Sequence, residues 1–449
     1  MHRSRSPRLH PRTRLLPLAL VAAFACNKDE PAETTGDTSS IEDPETLSYW
    51  GDVAPIYYER CVECHRDGGI APFALDRYED AATWASATAI AVEGRTMPPW
   101  LVTDDGTCNS WQHSRALSQA EIDTVLAWVD AGAPEGSPRE DLTPHDPPAL
   151  EGYLSVKTPM FRPEPEGGTT SKYDEYRCFA LDPELDHDAF ITGYEVLPGN
   201  AALVHHVLAL PVDPSRDVGG GLTNLDVIEA LDAESPDRLG WPCYGLAGDG
   251  VEVESLPVAW APGQGVVNLP AGSGSRIGAD DLVVVQVHYN MADPAVVGQS
   301  DETTLRLQIA DEVAREGLFD FPDGLLDSLF AGDPYLIPPG EAAHTFTWSF
   351  PTDWYIGWNG TTSLELWGFF PHMHERGLSL TARVLDADGE EVACIGEVPR
   401  WDFGWQIYYF LQQPIVLGPG QQIEVSCTYD TRDADDPVFP GWGTGNEMC

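Results

Sequence analysis

Lysine is nearly missing from this chain: Lys28, Lys157 and Lys172 are the only three in 449 residues. With arginine counted, 25 basic residues face 72 acidic ones, and the formal charge is −47. Such a surface repels nucleic acid and anionic lipid headgroups, and suits cationic ligands or metal ions. Acidity also serves solubility alone, so it excludes partners more firmly than it names one. No solenoid-type repeat is visible. The apolar run at 15–25 has eleven residues, too few to cross a bilayer.

Arginines at 3, 5, 8, 12 and 14 precede that run, and Cys26 follows it. A basic segment ahead of a short apolar one reads as a secretory leader over 1–26. Ala23-Phe24-Ala25-Cys26 resembles a bacterial lipoprotein cleavage site. That implies a lipid anchor on Cys26 and a place in the periplasm or at the cell surface. Ordinary signal cleavage nearby is the alternative. Either route leads to a compartment where disulfides persist. Residues 27–46 are rich in Asp, Glu, Thr, Ser and Pro, and read as a disordered acidic linker.

The length suits roughly three domains of ~100–200 residues each. With 42 Gly and 38 Pro, turns and short strands are favoured over long helices. Residues 47–135 read as a small all-α domain. There, Ser118 and Glu121 form a capping box. Ile122, Val125, Leu126 and Val129 follow at helical spacing, and Gly132 is placed to end the helix. A Pro-rich linker covers 136–152. Beyond it, short apolar or alternating runs at 203–210, 282–288, 364–370, 378–384 and 421–429 are separated by Gly, Pro and Asp turns. This is the pattern of antiparallel sandwiches. Two are expected, over 153–308 and 309–449.

Cys61-Val62-Glu63-Cys64-His65 has the spacing of a c-type haem attachment site. Two thiols can bond the haem vinyl groups while the adjacent His supplies an axial iron ligand. A lone CxxC also occurs in thioredoxin-like and zinc sites. Export and a small helical context favour haem c here. Met97, in Met97-Pro98-Pro99-Trp100, can fill the sixth iron position or pack as a core thioether. His113 is a second candidate ligand, or a surface residue. The region 47–135 resembles the cytochrome c fold.

Five other histidines fall in three groups: His205-His206, His288 after a valine-rich run, and His372-Met373-His374. On a strand, residues i and i+2 share a face, so His372 and His374 can bind one ion while Met373 packs. A chance surface pair is the alternative. Neighbours such as His205 and His206 face apart on a regular strand. To share a metal they need a bulge or strand end, with the rings using different nitrogens; otherwise one of them is a buried, hydrogen-bonded histidine. His288 can join from another strand, with Gln286 as an outer partner. Met448 adds a thioether, a poor zinc ligand but a good Cu(I) ligand.

The order HH, H, HxH, Met resembles the copper type II, ascorbate-dependent monooxygenases. The resemblance implies two jelly-roll-like copper domains. One copper would sit on His205, His206 and His288, and store and pass electrons. The other would sit on His372, His374 and Met448, bind dioxygen and abstract hydrogen from a C–H bond. The resemblance further implies disulfides Cys427–Cys449 and Cys178–Cys243, and leaves Cys108 and Cys394 unassigned. Peptide-hydroxylating members hold a substrate carboxylate with an Arg two residues before HxH; Phe370 stands there, so a C-terminal glycine is not the implied substrate.

The reading is an exported copper monooxygenase hydroxylating a small organic substrate, its cofactors two copper ions and one haem c. Its partners are the substrate, dioxygen and a reductant, ascorbate-like or a redox protein. Electrons would pass through the attached haem. No nucleic acid is expected, and membrane contact only by the lipid anchor. A non-catalytic haem/copper electron-transfer or copper-binding lipoprotein is the alternative from another class. A dehydrogenase passing electrons to haem without oxygen is a further one.

Overall fold

In Val204–Val212 and Leu282–Asn290, side chains alternate so that Val207, Ala209, Val283, Val285 and Val287 share one face. The computed structural model buries that face against Ile191, Tyr194 and Val196 of one strand and Leu305 and Leu307 of another. It describes residues 47–143, 149–165, 172–244, 246–357, 361–443 and 445–449. The leader expected at 1–26, with Cys26, and the linker at 27–46 lie outside these.

The first sandwich has two sheets. One runs Trp241–Pro242, Asp174–Leu181, Leu282–Asn290, Val204–Val212, Val258–Trp260 in spatial order. The other runs Tyr153–Lys157, Thr304–Ala310, Ala189–Leu197, Ser273–Ile277, Arg315–Glu316. Its last pairing is parallel. Thr304–Ala310 crosses the expected seam at 308/309, and Arg315–Glu316 bonds back to Ser273–Ile277. Sheet pairing therefore carries the first sandwich past that boundary.

The second sandwich sets His344–Pro351, Gln422–Tyr429, Gly377–Leu385 and Glu391–Val398 in one antiparallel sheet. The ribbon Leu364–Phe369 with Tyr409–Leu417 packs on it through a core that includes Phe350, Val384, Leu417 and Ile423.

Residues 47–143 carry the helices Ala54–Arg60, Tyr78–Glu93 and Gln119–Asp130 and a short π-helical turn, Tyr49–Val53. Their shared core includes Tyr49, Tyr57, Val125 and Trp128. The capping box forms as the sequence indicates. Ser118 Oγ accepts from the Glu121 N–H at 3.2 Å, and Glu121 Oε2 accepts from the Ser118 N–H at 2.7 Å. Gly132, at φ +85°, takes the left-handed conformation that stops the helix.

The helical domain does not stand apart from the second sandwich. Leu101, Val102 and Trp111 are buried in the same cluster as Trp401, Trp405, Tyr409 and Leu411 of the second sandwich. The Leu101 N–H donates to Tyr409 Oη at 3.1 Å, and the Thr103 N–H to the Glu397 carbonyl at 2.7 Å. Cys108 is bridged to Cys394, 286 residues away. Burying large apolar side chains of this kind contributes about 1.5–3 kcal/mol each. The helical module is thus docked and stapled, not merely tethered through 136–152. Cys178–Cys243 and Cys427–Cys449 are also bridged, as the family resemblance implied. Removing the staple with Cys108→Ser/Cys394→Ser is expected to cost about 2–5 kcal/mol. A fall in the urea unfolding midpoint reads this; an unchanged midpoint would assign the docking to non-covalent contacts alone.

Candidate metal centres

His206 and His288 stand opposite one another on adjoining strands. The ladder slips there: His288 pairs with His206, whereas Tyr289 pairs with Val204. His205 is therefore an extra residue, a β-bulge, and its ring joins the other two. Candidate ligand atoms of all three lie within 4.8 Å of one another. His206 Nδ1 is 3.2 Å from His288 Nδ1 and 3.4 Å from His205 Nδ1. Bonds of ~2.0–2.1 Å to one metal, opening at tetrahedral to right angles, separate two nitrogens by roughly 2.9–3.4 Å. The three rings fit a shared ion.

A bulge or a strand end was expected; a bulge forms, and the nitrogens that approach one another are Nδ1 on all three rings. His288 Nε2 donates to Asp174 Oδ1 at 3.0 Å, and that oxygen also accepts from Asn290 Nδ2 at 2.7 Å. The carboxylate selects the tautomer whose Nδ1 lone pair is available. Tyr176 stacks on His288 at 4.0 Å, and its hydroxyl donates to the Trp442 carbonyl at 3.1 Å. Gln286, expected as an outer partner, donates from Nε2 to the Leu246 carbonyl at 2.7 Å. Burial lowers all three imidazoles, His205 to about 4 and the other two well below the ordinary range.

His372 and His374 lie beyond the strand Leu364–Phe369, not on it. Pro371 has no N–H to continue the ladder. The chain stays extended enough that the two rings sit 5.2 Å apart. Met373, between them, is buried in the core with Trp401. His372 Nδ1 donates to Gln406 Oε1 at 2.6 Å, and His374 Nδ1 to the Asn446 carbonyl at 3.1 Å. Both rings thereby keep Nε2 for a ligand. Burial pushes them down to about 4 and about 3.

Met448 is fully buried and lines the same cavity as His372 and His374. Its position is over-determined. Glu447 accepts from the His374 N–H at 2.9 Å and the Arg376 N–H at 2.7 Å. The Cys449 N–H donates to Asp323 at 2.8 Å, and Tyr429 Oη to the Met448 carbonyl at 2.7 Å.

His206 lines this cavity too, from the first sandwich. Phe403 stacks on His205 at 4.7 Å and lies edge-on to His374 at 6.1 Å, so one ring spans both histidine groups. Asp174, Phe403, Gln406 and Glu447 were not singled out in the sequence, because only tertiary contact brings them to the imidazoles.

In the helical module, Cys61 and Cys64 are free, whereas every other cysteine among the described residues is bridged. Burial pushes the Cys61 thiol up to about 12. His65 Nδ1 donates to the Phe73 carbonyl at 3.1 Å, which leaves Nε2 available. Met97 is 44 % exposed, and His113 is exposed. Glu63, inside the motif, pairs with Arg115 at 3.3 Å, and Arg115 lies 6.0 Å over the Trp405 ring.

Two antiparallel sandwiches that each turn an imidazole group toward one cavity, with a thioether at the second, define a two-centre β protein. The family model described as copper type II ascorbate-dependent monooxygenase, C-terminal domain, matches residues 331–449. Human dopamine β-hydroxylase is 26% identical over 289 residues, 62% of this chain and 43% of that protein. Tyramine β-hydroxylase of Caenorhabditis briggsae is 24% identical over 57% of this chain and 40% of its own length. Chicken DBH-like monooxygenase protein 1 is 27% identical over 67% and 46%. Residues 331–449 thus match the C-terminal domain of the copper type II ascorbate-dependent monooxygenases, and the chain is similar to the named relatives over more than half of its length. It spans about half or less of the length of these relatives.

Metal-free protein is expected to lose stability as pH falls. Imidazoles near 4 at His205 and His372 and near 3 at His374, against 6.5 when unfolded, take up protons on unfolding. Stability present above 6.5 is therefore lost progressively toward pH 4 and 3. Urea midpoints at neutral pH and near pH 5 test this, and equal midpoints refute it. Asp174→Asn is expected to weaken metal binding at the His205-His206-His288 group about 10–100-fold, measured by competition with a chelator.

Proposed function

We propose that this chain is an exported copper-dependent monooxygenase that hydroxylates a C–H bond of a small organic substrate. The balance is R–H + O2 + 2 electrons + 2 protons giving R–OH + H2O. His205, His206 and His288 hold one copper through Nδ1; His372 and His374, through Nε2, hold the other with Met448. Copper so bound supplies the one-electron chemistry that dioxygen activation needs. The observation that carries the reading is the convergence of both imidazole groups and Met448 on one apolar cavity. Asp174, Gln406 and the Asn446 carbonyl hold the rings in the tautomers this requires. Leu208, Leu256, Trp260, Phe321 and Phe370 give that cavity an apolar lining. The soft Met448 donor favours Cu(I), the form that meets oxygen.

Haem c on Cys61, Cys64 and His65, with Met97 as sixth ligand, belongs to the same proposal as a one-electron carrier. Three features support it: two unbridged thiols in a disulfide-rich chain, a His65 whose Nε2 is left available, and Glu63–Arg115–Trp405 contacts leading to Gln406, which holds His372. The disulfides suit an oxidising compartment. No helix among the described residues is long and apolar enough to cross a membrane. Attachment through a lipid on Cys26 completes the proposal.

Met448→Ala is expected to abolish oxygen-dependent turnover, a loss of at least ~100-fold, while copper remains at His205, His206 and His288. Oxygen uptake with ascorbate and one-oxygen mass gain in the product measure this. Full activity in the variant would sink the assignment of the second copper. Purified mature protein is expected to hold two coppers and haem that stays attached after denaturation. Zinc at both histidine sites, or haem lost on denaturation, would contradict the respective half.

A further inference from the structure

We propose that the cavity between the histidine groups takes an uncharged, hydrocarbon-rich substrate and rejects both amines and carboxylates. This deepens the monooxygenase reading and rests on it. The named activities of two relatives concern amines, dopamine and tyramine. An amine is a cation at neutral pH, and ring faces alone offset only part of what its charge loses on leaving water. Among the described residues lining this cavity there is no Asp, Glu, Lys or Arg. The buried carboxylates of the site are already engaged: Asp174 accepts from His288 and Asn290, and Glu447 from two backbone N–H groups.

The uncharged polar side chains of the lining are engaged as well. Gln406 holds His372 with its oxygen and donates to the Phe403 carbonyl at 2.9 Å with its nitrogen. Gln286 Nε2 donates to the Leu246 carbonyl, Trp260 Nε1 to the Gln264 carbonyl at 2.8 Å, and Tyr176 Oη to the Trp442 carbonyl. Apart from the metal-holding groups, the cavity offers ring faces and aliphatic carbon. A charge moved from water into such a place without a partner is strongly disfavoured. An apolar molecule gains from the same transfer.

Two rings set this selectivity beside His372. Phe370 lies parallel to it at 6.5 Å and packs on Tyr408 at 4.8 Å. Phe321 lies 6.2 Å from it and stacks on Trp442 at 5.9 Å. Both are only partly buried, so a charged replacement has solvent to reach while the fold forms.

The test uses copper-loaded protein without oxygen and three probes of one skeleton: ethylbenzene, phenethylamine and phenylacetate. Binding is read by equilibrium dialysis. Ethylbenzene is expected to bind about 100-fold or more tightly than either charged probe. Phe321→Glu is expected to raise phenethylamine affinity, and Phe370→Arg phenylacetate affinity, each at the expense of ethylbenzene; either variant suffices if the other misfolds. Phenethylamine or phenylacetate binding as tightly as ethylbenzene, or no binding of ethylbenzene, overturns the proposal. Readmitting oxygen and reductant separates the two readings. Ethylbenzene bound but never oxygenated would refute the monooxygenase and keep the cavity's selectivity. Phenethylamine bound and hydroxylated would do the reverse.

Discussion

The buried carboxylate of Glu447 is the constraint on which the second centre depends. It accepts backbone N–H groups from both His374 and Arg376, and so joins the end of the described chain to the loop that carries His372 and His374. Met448 follows directly, and the Cys427–Cys449 bridge closes the segment behind it. A free-running segment would leave the thioether mobile. Here the loop and the tail fold as one piece. Burial pushes the Glu447 carboxyl up to about 8, while the two amide donors pull against it.

The two histidine groups are held by a common device with opposite results. At His288 an acceptor takes Nε2 and leaves Nδ1. At His372 and His374 the acceptors take Nδ1 and leave Nε2. Which nitrogen is offered changes the distance from backbone to metal. The first group can therefore gather three rings tightly around a bulge, while the second reaches outward from a loop. Depressed basicity follows from burial in both, so the lone pairs stay available through the physiological range.

The helical module takes part in the same architecture. Its segment beyond Tyr78–Glu93 adds Leu101, Val102 and Trp111 to the core of the second sandwich. Trp405 and Phe403 belong to the loop that meets this segment on one side and the imidazoles on the other. One stretch of chain, 403–406, thus touches both the module and the imidazoles.

The sequence alone determined the parts whose physics is local. Ser118 and Glu121 cap a helix because a hydroxyl and a carboxylate three residues apart meet the first free N–H groups. The valine-rich run before His288 made a buried strand. His205 and His206 needed a bulge or a strand end to face one metal together, and a bulge is what forms. Placing His372 and His374 on a strand was wrong because Pro371 ends the ladder first. What only the tertiary structure decided is which groups meet across hundreds of residues. Cys108 with Cys394, Asp174 with His288, Phe403 with His205 and Glu447 with His374 have no signature at fixed spacing. Each pairing exists because two sandwiches and a helical module bury their apolar faces together. That burial has no direction of its own, so the partners it aligns can be read only after the chain has folded.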